Sequence, residues 1–251
     1  MPNKLNLLIP EDVDTLSFEM IINYDQKYDF TTLNTTFKNK PIICLDMDET
    51  VGYVAPLSFY INVWRNINNT NEYPPYDIFK NWFFEKGAFR PYLKELIIYL
   101  KKELDKGNIN EILIFTSVDN YNGYVDYVAR CIEKYCNIPE NTISRIIDAS
   151  YSLEKSTCGA TIKELSVIGE DVILIDDKPW NVNPSNRVLG VPQYRQYCDP
   201  SDFLKFFNSK YHLSIEDAIS IDFNNYPPDL NDYSNDRTLL DIIEGLKIIF
   251  K

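Results

Sequence analysis

Three apolar runs, each followed by polar residues, most constrain what this chain can fold into. They run from Ile42 to Leu45, from Glu111 to Thr116 and from Asp171 to Asp177. Continuous apolar runs, unlike alternating patterns, are typical of strands buried on both faces. Because stretches with helical spacing separate them, the sequence predicts an α/β fold with a central parallel sheet and helices on both faces.

Polar side chains end all three predicted strands. Asp46 and Asp48 follow the first strand, Thr116 ends the second, and Asp176 and Asp177 end the third. Parallel strands end at one edge of a sheet, where ligands bind in open α/β folds. One such residue is an ordinary strand end, but the three positions together indicate a functional site.

The remaining elements follow from spacing and from Pro and Gly. Pro91 opens a predicted helix that Gly107 ends. Aromatic, Asn and Pro residues fill an insertion at about 52–89, which we expect to be irregular. Further helices are predicted at about 120–136 and from about Ala160 to Ile168, and a short strand from Ile143 to Ile147.

The chain divides into an extension at 1–37, a domain at 38–213 that contains the insertion, and an extension at 214–251. We assign no function to the first extension. The last extension contains an amphipathic stretch, for which a helix packed on the core is favoured over a partner-binding helix. Its apolar residues are Leu239, Leu240, Ile242, Ile243, Leu246 and Ile249.

Composition narrows the function further. The net charge of −12 and pI near 4.6 argue against direct nucleic-acid binding, which needs a basic surface. Five cysteines without paired spacing predict reduced thiols in the cytoplasm or nucleus. No apolar run approaches the ~20 residues of a membrane span, and the first residues do not form a signal peptide. We therefore expect a soluble intracellular protein.

Several catalytic classes lack their residues. The one histidine, His212, excludes zinc sites built on several imidazoles, and a surface or capping role is favoured for it over catalysis. No cysteine has an arginine six residues later, as a cysteine phosphatase requires. Neither a Gly-x-Ser-x-Gly elbow nor a Gly-rich Lys-Ser/Thr phosphate loop occurs.

The segment Asp46-Met-Asp-Glu-Thr50-Val51 resembles the first motif of haloacid-dehalogenase (HAD) superfamily phosphatases. Its Glu-Thr continuation is similar to the Fcp/Scp branch, the RNA polymerase II C-terminal-domain phosphatases. The similarity spans roughly residues 40–210 and implies a HAD-like Rossmannoid three-layer fold with a small insertion after the first motif. The other matching segments are Phe89-Arg-Pro-Tyr-Leu93, Ile114-Phe-Thr-Ser117, Lys163-Glu-Leu-Ser166 and Ile173-Leu-Ile-Asp-Asp-Lys-Pro179.

This resemblance implies covalent phosphoryl transfer. Asp46 would attack phosphorus and form an aspartyl-phosphate, while Asp48 would act first as general acid and then as general base. Thr50 would orient the acids. Thr116, with the backbone at Ser117, would hold a phosphoryl oxygen.

Two basic residues have implied roles that stay open at the sequence level. Lys163, at the start of its predicted helix, would neutralise both the phosphate and Asp46. Lys155 is the alternative to Lys163. Arg90 is a candidate for substrate binding, where it would hold the insertion near the site, and a role at the start of its helix is equally consistent with the sequence.

The cofactor implied by the resemblance is Mg²⁺, which prefers hard oxygen ligands. Its ligands would be the Asp46 carboxylate, the Asp48 backbone carbonyl, and Asp176 or Asp177. The Fcp/Scp pattern usually has Asn at the position of Asp177. The extra charge should tighten metal binding but repel phosphate.

The insertion has fewer than forty residues, too few for a full helical cap, so we expect an open site. An open site favours a phosphorylated protein segment, with the RNA polymerase II C-terminal tail as one candidate. The insertion's aromatic and proline residues would form a peptide groove or, as the favoured alternative, cover the sheet edge. They are Tyr73, Pro74, Pro75, Tyr76, Trp82 and Phe83.

A phosphorylated tail would be repelled by a chain of net charge −12 unless Lys178, Arg187 and Arg195 reverse the charge locally. Two other functions stay open: a phosphatase for nucleotides or polynucleotide ends, and a silent phosphopeptide-binding module. The presence of both Asp46 and Asp48 argues against the silent module. Abundant Asn, Ile and Tyr suggest an AT-rich genome, either that of a large DNA virus or that of an AT-rich eukaryote.

Overall fold

A five-stranded parallel sheet forms the centre of the computed structural model, which describes residues 37–151, 154–155, 161–183, 187–196 and 233–250. The order of its strands is β3-β2-β1-β6-β8. The predicted α/β class with a central parallel sheet is therefore confirmed. The strands are β1 Ile42–Leu45, β2 Glu111–Phe115, β3 Arg145–Ile147, β4 Glu154–Lys155, β5 Thr161–Glu164, β6 Val172–Asp176, β7 Val182–Asn183 and β8 Val188–Gly190.

Strand register brings the polar strand ends to one edge of this sheet. Leu45, the last residue of β1, lies opposite Ile114 of β2 and Ile175 of β6. The N–H of Asp46 donates to the carbonyl of Ile175 at 2.9 Å, which extends the ladder by one residue. The next residue of each strand therefore lies at the same edge, as the sequence predicts.

Helices cover one face of the sheet. Gly107, with φ +72°, ends α3 as predicted, because glycine adopts this left-handed conformation at low cost. The helix predicted in the last extension is confirmed as α5; Leu239, Ile242 and Leu246 are fully buried, and α5 packs on α3. The helices are α1 Leu57–Asn68, α2 Tyr76–Lys80, α3 Leu93–Lys106, α4 Tyr124–Cys136 and α5 Thr238–Ile249.

The other face differs from the prediction in the described part of the chain. A three-stranded sheet of order β4-β5-β7 and a 3₁₀ turn at Leu165–Val167 cover it, where a helix was expected. The helix predicted from Ala160 to Ile168 is wrong, because Lys163 and Glu164 of β5 pair with Val182 and Asn183 of β7. The small sheet is still a third layer.

The insertion is more regular than predicted. Gly52 pairs with Phe89 in an antiparallel bridge, so the two ends of the insertion meet. A Cβ on Gly52 would lie 2.4 Å from the carbonyl oxygen of Ala88, so only glycine fits there. Trp82 and Phe83 are buried in the main hydrophobic cluster, so they do not line a peptide groove and the favoured packing role is confirmed for them.

Some predictions concern parts of the chain outside the described residues. These parts are the first extension apart from its last residue, Phe37, and in addition His212, Cys158, Cys198 and the Lys155 side chain. Cys44, Cys131 and Cys136 are free, buried thiols. Among the described helices, none has the length and apolar character needed to cross a bilayer.

Candidate active site

Lys163 joins the acids of two neighbouring strands. Its Nζ lies 2.5 Å from Oδ1 of Asp46, which follows β1, and 2.6 Å from Oδ2 of Asp176, which ends β6. All three side chains are almost fully buried. Burial alone would lower the pKa of Lys163, but the two carboxylates more than offset this and raise it. The lysine is therefore charged, and it neutralises part of the acid cluster.

Lys163 therefore contacts Asp46, as predicted, but it lies on strand β5 and not at the start of a helix. An extended chain points alternate side chains to opposite faces, and β5 lies on β7 with Lys163 directed towards the end of β1. The contacts with Asp46 and Asp176 are those of Lys163, and the Lys155 side chain lies outside the described residues.

Thr50 links Asp46 to Asp177. Its hydroxyl oxygen lies 3.1 Å from Oδ2 of Asp46 and 3.1 Å from Oδ1 of Asp177, and it accepts the N–H of Asp177 at 2.9 Å. One hydroxyl proton can serve only one of these carboxylates at a time. Thr50 therefore contacts Asp46 and Asp177, whereas the resemblance implied that it would orient Asp46 and Asp48.

Two acids in the site hold their protons unusually tightly. Burial, followed by the charges of Asp46 and Glu49, raises the pKa of Asp48 to about 7. Burial and the charge of Asp46 raise the pKa of Asp177 to about 8. Oδ1 of Asp48 is buried and has no hydrogen-bond partner among the described residues. A carboxyl group with a pKa near neutrality can both donate and accept a proton at physiological pH.

A second ion-pair cluster surrounds Glu49. Its Oε1 lies 2.5 Å from Nε of Arg195, and its Oε2 lies 3.2 Å from Nζ of Lys178. Lys178 Nζ is also 3.7 Å from Oδ2 of Asp177. Glu49 has φ +64°, in the left-handed region, and this turns the chain back towards the site directly after Asp48.

These residues surround a cavity of about 320 Å³ at the carboxyl edge of the sheet. Thr116 is buried at its base, where its hydroxyl oxygen accepts the N–H of Val118 at 3.2 Å and its own proton stays available to a ligand. Ser117 is exposed at the rim. The cavity is lined by Asp46, Asp48, Glu49, Tyr53, Ala55, Thr116, Ser117, Val118, Lys163, Asp176, Asp177, Lys178 and Asn181.

Arg90 does not line this cavity, and the contacts of its buried side chain are with other parts of the protein. Its buried guanidinium pairs with Asp236 at 2.7 Å and donates to the carbonyl of Pro192 at 2.9 Å and to the hydroxyl of Thr238 at 3.1 Å. A weaker contact at 3.4 Å reaches the carbonyl of Thr50. Arg90 therefore connects the loop after β1 to the start of α5.

The three basic residues expected near the mouth have separate positions. Lys178 lines the cavity, and Arg195 borders it through Glu49. The guanidinium of Arg187 lies 5.0 Å from the ring centroid of Phe37 and near Asp171, which precedes β6 at the opposite edge of the sheet. Two of the three therefore contribute positive charge at the mouth.

The acid cluster fits a hard cation. Oxygen atoms of Asp46, Asp176 and Asp177 lie within 4.8 Å of one another, and all three residues are buried. Asp176 already accepts from Lys163 and, at 2.6 Å, from the N–H of Lys178. The contacts of Asp177 are longer: its Oδ1 lies 3.1 Å from the Thr50 hydroxyl, and its Oδ2 lies 3.3 Å from the Gln193 amide and 3.7 Å from Lys178 Nζ. Asp177 therefore has the longest contacts of the three acids, and its oxygen atoms are the most open to Mg²⁺.

The sequence did not identify the roles of two residues beside the acids. Glu49 gave no signal beyond its place in the first motif, and Gln193 lies sixteen residues beyond the Asp177 that it contacts. The left-handed turn at Glu49 is unusual for a non-glycine residue, so the position of its side chain beside the cavity is clear only in the folded chain.

Comparison with known proteins gives little further information. No protein-family model and no curated protein matches the sequence. Among solved structures, the chain is similar to the structure of Fcp1, an essential RNA polymerase II CTD phosphatase, with a TM-score of 0.44 and 16% identity. The similarity covers 94% of this chain and 66% of that chain. The interpretation of the site therefore depends on its own geometry.

Proposed function

We propose that this protein is a Mg²⁺-dependent phosphatase of the HAD superfamily, acting on phosphoserine or phosphothreonine in proteins through an aspartyl-phosphate. The observation that carries this proposal is the position of Asp46. Its carboxylate lies at the end of the central strand, held between Lys163 and Thr50 and within reach of a second acid pair.

In the first step, Asp46 attacks phosphorus and the bond from phosphorus to the leaving oxygen breaks. Asp46 Oδ1 accepts from Lys163 and its Oδ2 accepts at most from Thr50, so each oxygen retains a lone pair for attack. Asp48 donates its proton to the leaving oxygen. The raised pKa of about 7 keeps a substantial fraction of Asp48 protonated at neutral pH.

In the second step, water attacks the aspartyl-phosphate, Asp48 takes its proton, and inorganic phosphate leaves. Asp48 then has the proton with which it began. Thr116 and the neighbouring backbone donate to the phosphoryl oxygens, and Lys163 balances their charge together with that of Asp46.

Mg²⁺ would be held by Asp46 and Asp177, with Asp176 beside them and the Asp48 carbonyl as a further ligand implied by the resemblance. When bound, it supplies the positive charge that lets a phosphate dianion approach a carboxylate. Asp177, where the related pattern has Asn, strengthens the attraction for the cation.

A protein substrate is supported by the shape of the insertion, which packs beside the cavity and leaves Ser117 exposed at its rim. The acidic balance of the chain disfavours polynucleotides. The RNA polymerase II C-terminal tail remains one candidate substrate, and an intracellular location in the cytoplasm or nucleus accords with it.

The first test is hydrolysis of an aryl phosphate by the purified protein, with and without Mg²⁺. We expect activity that requires Mg²⁺, is abolished by Asp46→Asn, and falls about 10²-fold or more in Asp48→Asn. Trapping ³²P on the wild-type protein, but not on Asp46→Asn, would identify the covalent intermediate.

Matched substrates separate the alternatives. Phosphoserine peptides are compared with nucleoside monophosphates at equal concentration. Faster turnover of nucleotides would contradict the proposed substrate, and binding of phosphopeptides without turnover would support a silent module. An active Asp46→Asn protein would contradict the proposed nucleophile.

A further inference from the structure

A second cavity, of about 460 Å³, opens from the first. The two share Asp48, Ala55 and Val118 in their linings, so they are adjacent. We call the second cavity the Arg65 groove. The residues that matter for its chemistry are Ser58, Ile61 and Arg65 from α1, together with Tyr73, Asp119 and Tyr121.

The position of Asp48 identifies what the groove holds. A general acid must lie within hydrogen-bond distance of the leaving oxygen. In the proposed reaction Asp46 is the attacking group and Asp48 is the acid, so the leaving group extends from the phosphorus on the Asp48 side. Asp48 is also where the Arg65 groove begins, and its Oδ1 has no partner in the described structure. The groove is therefore the site for the rest of the substrate.

The guanidinium group of Arg65 is held in a fixed position in the groove. The guanidinium carbon of Arg65 lies 4.1 Å from the ring centroid of Tyr73, and that ring stacks on Tyr127 at 4.6 Å. Arg65 Nε donates to the carbonyl of Glu72 at 3.1 Å. In the part of the chain that the structure describes, no carboxylate lies within 4 Å of the Arg65 guanidinium. Its charge is available to an anionic group in the groove.

The helix sets the distance between the two ends. Ser58 and Arg65 lie seven residues apart in α1, which is about 10 Å along the helix axis at ~1.5 Å per residue. An extended chain advances about 3.3 Å per residue. Ser58 lies at the end of the groove beside the first cavity, because its hydroxyl donates at 3.1 Å to the carbonyl of Ala55, which lines both cavities. An extended segment from that end to Arg65 would therefore span about three residues.

We propose that the Arg65 groove binds the polypeptide on one side of the phosphorylated residue and selects an acidic side chain about three positions away. The proposal rests on the proposed function, because it uses Asp48 as the acid. Tyr121, at 78% exposed, gives an aromatic surface on the open side, over which an extended chain can lie. Asp119 and Asp48 disfavour a polynucleotide, which carries a charge on every residue.

The test compares phosphoserine peptides that differ at one position. Glu is placed three residues before or three residues after phosphoserine, and each peptide has a Gln counterpart. We expect one of the two Glu peptides to be preferred about threefold or more in kcat/KM over its Gln counterpart. Arg65→Gln should reduce that ratio to about one. The exposed Lys102→Gln is the matched control and should keep the wild-type ratio.

Three results would overturn the proposal: an unchanged ratio in Arg65→Gln, an equal loss in Lys102→Gln, or faster turnover of a 5′-phosphorylated oligonucleotide than of either peptide. If wild-type protein hydrolyses neither an aryl phosphate nor the peptides, the proposed function fails. The groove is then tested by fluorescence anisotropy of labelled peptides. Tighter binding of a Glu peptide that is lost in Arg65→Gln supports it, and equal binding by both proteins rejects it.

Discussion

At the scale of single residues, the site depends on which carboxylate each cation pairs with. Lys163 is held by Asp46 and Asp176, at 2.5 and 2.6 Å. Lys178 can pair with either of two acids, because its Nζ lies 3.2 Å from Glu49 Oε2 and 3.7 Å from Asp177 Oδ2. By holding Lys178, Glu49 leaves Asp177 available to a metal ion.

Glu49→Gln should therefore weaken Mg²⁺ binding. Without the Glu49 charge, Lys178 pairs fully with Asp177 and competes with the cation. We expect the Kd for the metal to rise about threefold to tenfold, an energy of about 1 kcal/mol. Titration of the metal-free protein with Mn²⁺, followed by electron paramagnetic resonance, measures this directly.

The control is the double variant Glu49→Gln with Lys178→Met. Removal of the competing lysine should restore most of the affinity. If the double variant binds as weakly as Glu49→Gln alone, Glu49 acts through its own negative charge and the positioning role is wrong.

At the scale of elements, Arg90 ties the loop after β1 to the last helix. Its side chain and that of Asp236 are 1% and 9% exposed, so their ion pair is buried. The loop from Asp46 to Gly52 carries the acids, and Arg90 also donates its backbone N–H to the carbonyl of Val51 at 3.0 Å. Stability of α5 and order in this loop are therefore linked.

Arg90→Met should lower the free energy of unfolding by about 3 to 5 kcal/mol, because Asp236 is left buried without a partner. Urea denaturation of both proteins measures the difference. Arg145→Met, which breaks the more exposed pair with Glu111, is the matched control and should cost less than about 1 kcal/mol. Equal losses in the two variants would contradict the anchoring role.

The sequence could predict the elements whose formation depends on neighbouring residues, but not those that depend on distant parts of the chain. The strands β1, β2 and β6 are apolar runs, and Gly107 ends α3 through its own backbone, so both could be recognised locally. The strand β5 depends on pairing with β7, about twenty residues later, and its sequence alone favoured a helix. The helices of the insertion are short or rich in aromatics, and their burial against the core could not be deduced from composition.

At the scale of the whole molecule, the chain concentrates negative charge around one cavity. The aspartates and Thr116 that line it were predicted because strand ends meet at one edge. Lys163, which also lines it, was expected only from the resemblance and on a helix, whereas it lies on β5. Arg90 was predicted to bind substrate, because a sequence motif does not show where a side chain points. Its partner Asp236 lies 146 residues away, so sequence spacing gave no indication of the contact.

This concentration of acid should make the metal-free protein less stable as the pH rises. The folded-state pKa values of Asp48 and Asp177 are raised to about 7 and about 8, against about 4 in an unfolded chain. Between about pH 4 and about pH 8, the folded state therefore binds more protons than the unfolded state. Stability is therefore greatest at the acidic end of this window and falls as pH rises through it, by at most about 1.4 kcal/mol per pH unit for each group.

Thermal unfolding of metal-free protein at pH 5 to 8 tests this expectation, and Mg²⁺ should stabilise most at pH 8, where it binds ionised acids. Asp177→Asn should make the fall in Tm shallower, because the amide does not titrate. Asp119→Asn removes an equal charge from an exposed position and is the matched control for general repulsion in a chain of net charge −12. If both variants keep the wild-type slope, the buried acid Asp177 does not cause the pH dependence.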